Sequence, residues 1–234
     1  MEILNRVSAR APGFLCYNIY VMKILAIETT GHFASVALGS EMIQNDTDYS
    51  HLQEISPMCI EMLERSGLKG TDLDAIAVSR GPGSFTGIRI GLATAKGLAA
   101  IWDKPVITVP TLYSFACRSD VKQGNIVVPV FDARRSQVYA GIFKDKEALL
   151  PGAAYDIDVF KEKLDEIVGE NDALYFGDGC GLVGKDSSGH QDARQILALA
   201  EEMFENGDLK DAFSAEPEYM RLSEPERKKL EQKK

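Results

Sequence analysis

Short apolar runs alternate with longer amphipathic stretches along the chain from Met22 onward. The runs at 23–27 and 75–79 are almost continuously apolar, as expected of strands that are buried on both faces of a sheet. The stretch at 52–66 instead repeats its apolar residues at helical spacing. The predicted elements of this part are, in order, strands at 23–27, 34–38 and 42–48, a helix at 52–66, a strand at 75–79, a helix at 86–102, a strand at 106–109 and a short helix at 112–118.

The same order of elements then begins again. Three strands are predicted at 126–131, 137–143 and 147–155, followed by a helix at 159–168, a strand at 173–176 and a helix at 193–206. Two rounds of three strands, helix, strand and helix predict an α/β protein with a duplicated RNase H-like, actin-like (ASKHA) fold. Its mixed sheets would be flanked by helices, and its second half would be truncated. The expected organisation is an arm at 1–21, domains at 22–121 and 122–222, and a charged tail at 223–234.

Composition narrows the classes of function. Acidic residues outnumber basic ones by 35 to 26, which gives a net charge of −9, so tight unaided binding of RNA is not expected. The four cysteines lie far apart without a C-x-x-C pair, a pattern typical of a reducing cytosol. Since no apolar run reaches the roughly 18–20 residues of a membrane span, the sequence predicts a cytoplasmic protein with no membrane contact.

A glycine-rich turn, Gly81-Pro82-Gly83-Ser84-Phe85-Thr86-Gly87, lies between a predicted buried strand and the long helix. Backbone amides at a helix start can bind an anion, so one interpretation is a phosphate loop. The turn is not a Walker loop, because no G-K-[ST] follows. Because proline has no backbone N–H, Pro82 also leaves one amide fewer to bind a phosphate. A tight turn that lets the helix pack closely on the sheet is the favoured interpretation.

The helix after this turn carries small residues every fourth position, at Gly87, Gly91, Ala95 and Ala99. Glycine inside a helix costs about 1 kcal/mol relative to alanine, so such a stripe needs a packing reason. The closely packed partner is either the helix at 52–66 of the same chain or a helix of another subunit, and the sequence leaves both open. The predicted partner interface consists of Leu52, Ile55, Cys59, Met62, Gly87, Ile88, Gly91, Leu92, Ala95 and Ala99.

Several motifs together resemble those of the TsaB (YeaZ) family. They are LAIETT at 25–30, the glycine-rich turn with its helix, DARRSQVY at 132–139 and PEYMR at 217–221, so the resemblance spans about 22–222. Glu28 departs from the pattern, since an aspartate is usual there, and Gln137 replaces a frequent acid. The positions that match the family motifs are Gly81, Pro82, Gly83, Ser84, Phe85, Thr86, Arg89, Arg134 and Arg135.

The resemblance implies a non-catalytic subunit of the bacterial machinery that modifies tRNA. TsaB proteins share their fold with TsaD, the subunit that transfers a threonylcarbamoyl group to an adenosine beside the anticodon. They pair with TsaD and assemble with the ATPase TsaE. The resemblance therefore implies a TsaD-like and a TsaE-like partner, ATP used by the complex, no cofactor in the isolated chain, and tRNA bound only through the complex. The free chain is also expected to be able to form a homodimer.

No catalytic or metal-binding residue is predicted. TsaD-like relatives carry an H-x-x-x-H helix, but here the position four residues after His51 is isoleucine. Glu28, Thr29, Thr30 and Asp132 are weak candidates for a nucleotide site, without a complete set of phosphate and adenosine loops. The alternative function is an enzyme in its own right, either an actin-like ATPase or kinase or a peptidase of the M22 type.

Overall fold

A computed structural model describes residues 21–45 and 51–221, with side chains from residue 54 onward in the second range. The predicted arm at 1–21, apart from Val21, and the predicted tail at 223–234 lie outside the described residues. The first half of the chain forms a five-stranded sheet in the order β3-β2-β1-β4-β5. Its strands are β1 (Ile24–Glu28), β2 (Ser35–Leu38), β3 (Glu41–Gln44), β4 (Ala75–Gly81) and β5 (Val106–Pro110).

The first sheet is mixed, as the sequence predicted. β1 pairs antiparallel with β2 and parallel with β4, and β4 pairs parallel with β5. Its apolar runs are buried on both faces because helices cover both sides. One face packs on α1 (His51–Ser66) and α2 (Phe85–Trp102), and the other packs on α5 (Ala193–Glu205).

The second half forms a four-stranded sheet in the order β8-β7-β6-β9. Its strands are β6 (Ile126–Arg134), β7 (Gln137–Lys144), β8 (Glu147–Asp156) and β9 (Ala173–Phe176). β6 pairs antiparallel with β7 and parallel with β9, which repeats the pattern of β1, β2 and β4. Helix α4 (Ile157–Ile167) packs on this sheet through Phe160 and Leu164. Because no fifth strand joins this sheet within the described ranges, the prediction of a duplicated architecture with a truncated second half is confirmed.

Helix α5 does not stay with the second half in which the sequence analysis placed it. Its apolar face, which includes Ile196 and Ala200, packs against Ile24 and Ala26 of β1 in the first half. The helical period reveals that the segment is amphipathic, but it does not reveal which sheet covers its apolar face. The chain therefore crosses back after β9, and the helix completes the core of the first half.

The predicted helix at 112–118 is also corrected. It consists of the single turn α3 (Thr111–Ser114) followed by a 3-10 turn at Phe115–Cys117. Phe115 is fully buried and packs against Phe131 and Phe176, so this segment lies between the two halves. The other predicted elements are present, with ends that shift by a few residues. The strand predicted at 42–48 ends at Gln44 in β3, and residues 46–48 lie outside the described part of the chain.

Candidate functional site

The carboxyl ends of β1, β4 and β5 meet at one edge of the first sheet, where open α/β sheets place their ligands. Glu28 ends β1 there and is fully buried. Its Oε1 accepts hydrogen bonds from the backbone amide of Thr30 and, at 2.6 Å, from the Thr30 hydroxyl. This carboxyl group therefore binds the loop that follows its own strand.

The electrostatics of Glu28 are unusual. Burial is the main reason that its pKa rises from 4.5 to about 7, and the nearby Asp192 carboxylate adds to the rise. The bonds from Thr30 and the Ser79 hydroxyl act in the opposite direction, although Ser79 makes no regular hydrogen bond to the carboxyl. Within the described part of the chain, Glu28 Oε2, Ser79 Oγ and Thr111 Oγ1 are buried without a hydrogen-bond partner. A neutral carboxyl group is the form that suits this site.

The glycine-rich turn packs directly on the loop after β1. The backbone amide of Ser84 donates to Thr30 O at 2.8 Å, and the amide of Gly87 donates to Ser84 Oγ at 3.2 Å. A Cβ on Gly87 would lie 1.9 Å from Thr29 O, so only glycine allows this approach. Two amides of the turn, those of Ser84 and Gly87, are therefore engaged within the chain. The favoured interpretation of a tight packing turn agrees with these contacts.

Asp132, the other weak candidate for a nucleotide site, lies near the tip of the β6–β7 hairpin. Its Oδ1 accepts from the amide of Arg134 at 2.6 Å, and its Oδ2 pairs with Arg134 Nη1 at 2.9 Å. The backbone amide of Asp132 donates to Asp178 Oδ1 at 3.0 Å. Asp132 thus caps its own turn, and Glu28 and Asp132 are held by separate local contacts.

The loops at the junction of the two halves are closely packed. A Cβ on Gly31 would lie 2.6 Å from the side chain of Gln191, and a Cβ on Gly179 would lie 2.7 Å from the carbonyl carbon of Phe131. His32 Nε2 lies 3.2 Å from Asp178 Oδ2 and links the two halves. Gln191 and Asp192 escaped the sequence analysis, because no local spacing connects them to Glu28.

The stripe of small residues on α2 faces inward, which corrects its assignment to a partner interface. Ala95 and Ala99 are buried, and a Cβ on Gly91 would lie 2.3 Å from Thr29 Oγ1 and 3.2 Å from Val78 Cγ2. The partner of the stripe is thus the chain's own sheet and core. The same core also contains five more of the residues predicted to contact another subunit, namely Ile55, Cys59, Met62, Ile88 and Leu92. The side chain of Leu52 lies outside the described part of the structure.

The opposite side of α2 is exposed and carries mostly small or apolar residues. We call this surface the outer ridge, and it consists of Phe85, Thr86, Ala93, Gly97, Ala100 and Ile101. Ile101 is 75% exposed, and a Cβ on Gly97 would meet no atom within 4 Å. The neighbouring α1 exposes Ile60 at 45%. Apolar side chains therefore face outward on both helices that cover this face of the first sheet.

The C-terminal segment, residues 211–221, runs beside the outer ridge. The Tyr219 ring packs on Phe85 at 5.0 Å between centroids, and its hydroxyl accepts from Arg89 Nε at 3.0 Å. Lys96 Nζ donates to the carbonyl oxygens of Phe213 and Ala215, and the Phe213 side chain is 87% exposed. The segment thus extends the apolar surface of α2 on one side.

Metal-binding clusters and membrane-spanning helices are both absent from the described residues. Among residues 21–45 and 51–221, no three histidine, cysteine or acidic side chains are placed to hold a metal ion together. In the same ranges no helix combines the length and the apolar character needed to cross a membrane.

The fold defines an actin-like protein that consists of two RNase H-like halves. A family model described as TsaD, tRNA N6-adenosine threonylcarbamoyltransferase, matches residues 43–173. The Escherichia coli tRNA threonylcarbamoyladenosine biosynthesis protein TsaB is 34% identical, over 86% of this chain and 95% of its own. The Bacillus subtilis protein of the same name is 30% identical, over 91% of this chain and 100% of its own.

Solved structures agree with the sequence matches. A crystal structure from Pseudomonas aeruginosa, of an uncharacterized protein with similarity to the peptidase YeaZ, has a TM-score of 0.69 and 30% sequence identity. The match covers 86% of this chain and 100% of that chain. The chain belongs to the TsaB (YeaZ) family, which confirms the resemblance found in its motifs.

Proposed function

We propose that this chain is a non-catalytic subunit in the synthesis of threonylcarbamoyladenosine in tRNA, where it binds and activates a transferase of the TsaD type. The names of its relatives and of the matching family model support the reaction. The local hydrogen bonds of Glu28 and Asp132 support a role without catalysis, since both carboxyl groups are bonded to their own loops. ATP is then used by the complex, which includes a TsaE-type ATPase, and tRNA is bound through the complex.

The observation that carries the proposal is the exposed apolar surface around α2. Contiguous apolar surface on a soluble domain marks a contact site more often than chance exposure. The small residues of the outer ridge favour a helical partner, because facing helices reach the short end of the 8–10 Å range only over small side chains. The catalytic subunit is the partner we propose, since the relatives and the matching family model are named for the same modification of tRNA. A second copy of this chain competes for the same surface when the partner is absent.

The proposal is tested with Gly97→Leu. Because a side chain at Gly97 enters open space, the variant should melt at the same temperature as the wild type or higher. A bulky residue between two close helices lowers the free energy of binding by about 1–3 kcal/mol. The affinity for the TsaD-type subunit should therefore fall by about one to two orders of magnitude. Calorimetric titration with the purified catalytic subunit measures this affinity.

Glu162→Leu on α4 is the matched control, since it adds a leucine to an exposed helical position in the other half. It should bind like the wild type. Unchanged binding by Gly97→Leu would exclude the outer ridge as the interface. ATP or peptide turnover by the purified wild-type chain would instead favour the alternative of an independent enzyme.

The cytoplasm is the compartment we infer for this subunit. Cys59, Cys117 and Cys180 are buried as free thiols in the structure. Unpaired buried cysteines of this kind are usual in a reducing compartment.

A further inference from the structure

Three buried polar side chains lie at the carboxyl ends of the parallel strands of the first sheet. Glu28 ends β1, Ser79 lies next to it on β4, and Thr111 follows β5. All three residues are fully buried. Their side-chain atoms Oε2, Oγ and Oγ1 have no hydrogen-bond partner within the described ranges. Buried polar groups without a partner are costly and rare in native proteins, so three of them at one edge of a sheet point to a bound polar molecule.

The three side chains share the face of the sheet that α5 covers. Side chains alternate along a strand, so each of the three points to the same side as the residue two positions before it. These preceding residues all belong to the core beneath α5, and they are Ala26, Ala77 and Val109. The backbone at Pro110 is extended, with φ −69° and ψ 116°, so the alternation continues to Thr111. Because adjacent strands lie about 4.8 Å apart, the three polar groups are neighbours.

Short side chains surround the Glu28 carboxyl group on this face. Its neighbours on the adjoining strands are Ser35 of β2 and Ser79 of β4. The first residue of α5, Ala193, donates its amide to Ser35 Oγ at 2.9 Å, so Ser35 is satisfied within the chain. Ser79 has no such bond, and its hydroxyl group faces the carboxyl group without a regular hydrogen bond. A small molecule between the two would satisfy both.

Water is the molecule that matches these groups. Glu28 Oε1 already accepts two hydrogen bonds from Thr30, so the hydrogen of the neutral carboxyl group belongs on Oε2, where it is a donor. Since hydroxyl groups both donate and accept, a water molecule can accept from the carboxyl group and donate to a hydroxyl oxygen. The nearby Asp192 carboxylate disfavours an anion. A metal ion is disfavoured too, because the described residues contain no group of three histidine, cysteine or acidic side chains that could hold one.

We propose that Glu28, Ser79 and Thr111 form an internal hydration site, in which ordered water joins the carboxyl group to the two hydroxyl groups. Internal waters make about three hydrogen bonds each and are part of the structure. The water fixes the Glu28 carboxyl group, which holds Thr30, and the Thr30 carbonyl oxygen accepts from the Ser84 amide at 2.8 Å. The site therefore positions the start of α2. This inference is independent of the proposed function.

A comparison of Ser79→Ala with Ser114→Ala by thermal melting is the first test. Ser114 is the matched control, because its hydroxyl group is also fully buried but makes two hydrogen bonds within the chain, to Thr111 O and from Gln195 Nε2. If water binds Ser79, both variants should lower the melting temperature by about 2–4 °C, since each leaves a bonded group unpaired. Thr111→Val keeps the side-chain volume and should also lower it. Removal of a hydroxyl group that has no partner should instead leave the melting temperature unchanged or raise it.

A crystal structure of the full chain tests the site directly. It should show a water molecule within about 3.2 Å of both Glu28 Oε2 and Ser79 Oγ. Hydrogen exchange tests the positioning of α2. The Ser84 amide should exchange faster in Ser79→Ala than in the wild type, whereas Ser114→Ala, which leaves the Glu28 carboxyl group in place, should not change its rate.

Four results overturn the proposal. The first is a melting temperature that stays the same or rises in both Ser79→Ala and Thr111→Val. The second is a crystal structure with a direct hydrogen bond between Glu28 and Ser79 and no water at the site. The third is a bound ion, recognised by contacts to oxygen of about 2.0–2.6 Å. The fourth is an unchanged exchange rate of the Ser84 amide in Ser79→Ala, which would refute the role in positioning α2.

Discussion

Replacement of Glu28 by glutamine should stabilise the protein at alkaline pH. It should also remove the part of the pH dependence of the free energy of unfolding that comes from Glu28. The carboxyl group is fully buried, and burial is the main cause of its pKa near 7. Glutamine has the same shape and keeps an acceptor for the Thr30 amide and hydroxyl. Its NH₂ group can also donate toward Ser79, whose buried hydroxyl oxygen lacks a partner in the described chain. The variant therefore mimics the protonated acid at every pH.

The sign of the effect follows from proton linkage. A carboxyl group whose pKa is raised on folding binds more protons in the folded state than in the unfolded state between the two pKa values. Its contribution to stability is fully present below pH 4.5 and is lost as the pH rises through about 7. A rise from 4.5 to about 7, at about 1.36 kcal/mol per pH unit, corresponds to roughly 3 kcal/mol at full loss.

Urea denaturation at several pH values between about 5 and 8.5 measures this difference. The free energy of unfolding of Glu28→Gln, relative to the wild type, should increase by about 2–3 kcal/mol across that range. Glu41→Gln replaces an exposed carboxylate of the same sheet and serves as the control. A Glu28→Gln difference that stays constant within about 0.5 kcal/mol would refute the reasoning, because the carboxyl would then be ionised without cost.

Two further variants test the packing of the first half. Ala95→Leu should lower the melting temperature by several degrees, because Ala95 is fully buried and overpacking costs about 1–3 kcal/mol. An unchanged melting temperature for Ala95→Leu would mean that this side of α2 is accessible rather than buried. Asp192 is the N-cap residue of α5, and its side chain accepts a hydrogen bond from the Arg194 amide at 2.8 Å. Asp192→Ala removes this cap and should lower the free energy of unfolding, measured by urea denaturation, by about 1 kcal/mol. Asp192→Asn should recover most of that loss, and equal losses in both variants would contradict a capping role.

The sequence by itself determined the elements, their order and the family. Continuous apolar runs identified β1 and β4, because a strand covered on both faces has no polar side to display. The repeated order of strands and helices then predicted two related sheets, and the motifs identified the family. The glycine-rich turn was also understood from its residues, since the missing lysine and the proline already argued against a phosphate loop.

Tertiary structure alone decided which faces meet. Small residues at every fourth position of α2 allow close packing in either direction, and only the contacts of Gly87 and Gly91 with Thr29 turn the stripe inward. The sequence of amphipathic α5 likewise does not indicate which of the two sheets the helix packs on. The closeness of Glu28 to distant Asp192 depends on contacts between segments far apart in the chain. Such contacts leave no periodic pattern in a single sequence, because side-chain spacing encodes neighbours along one element and not across two.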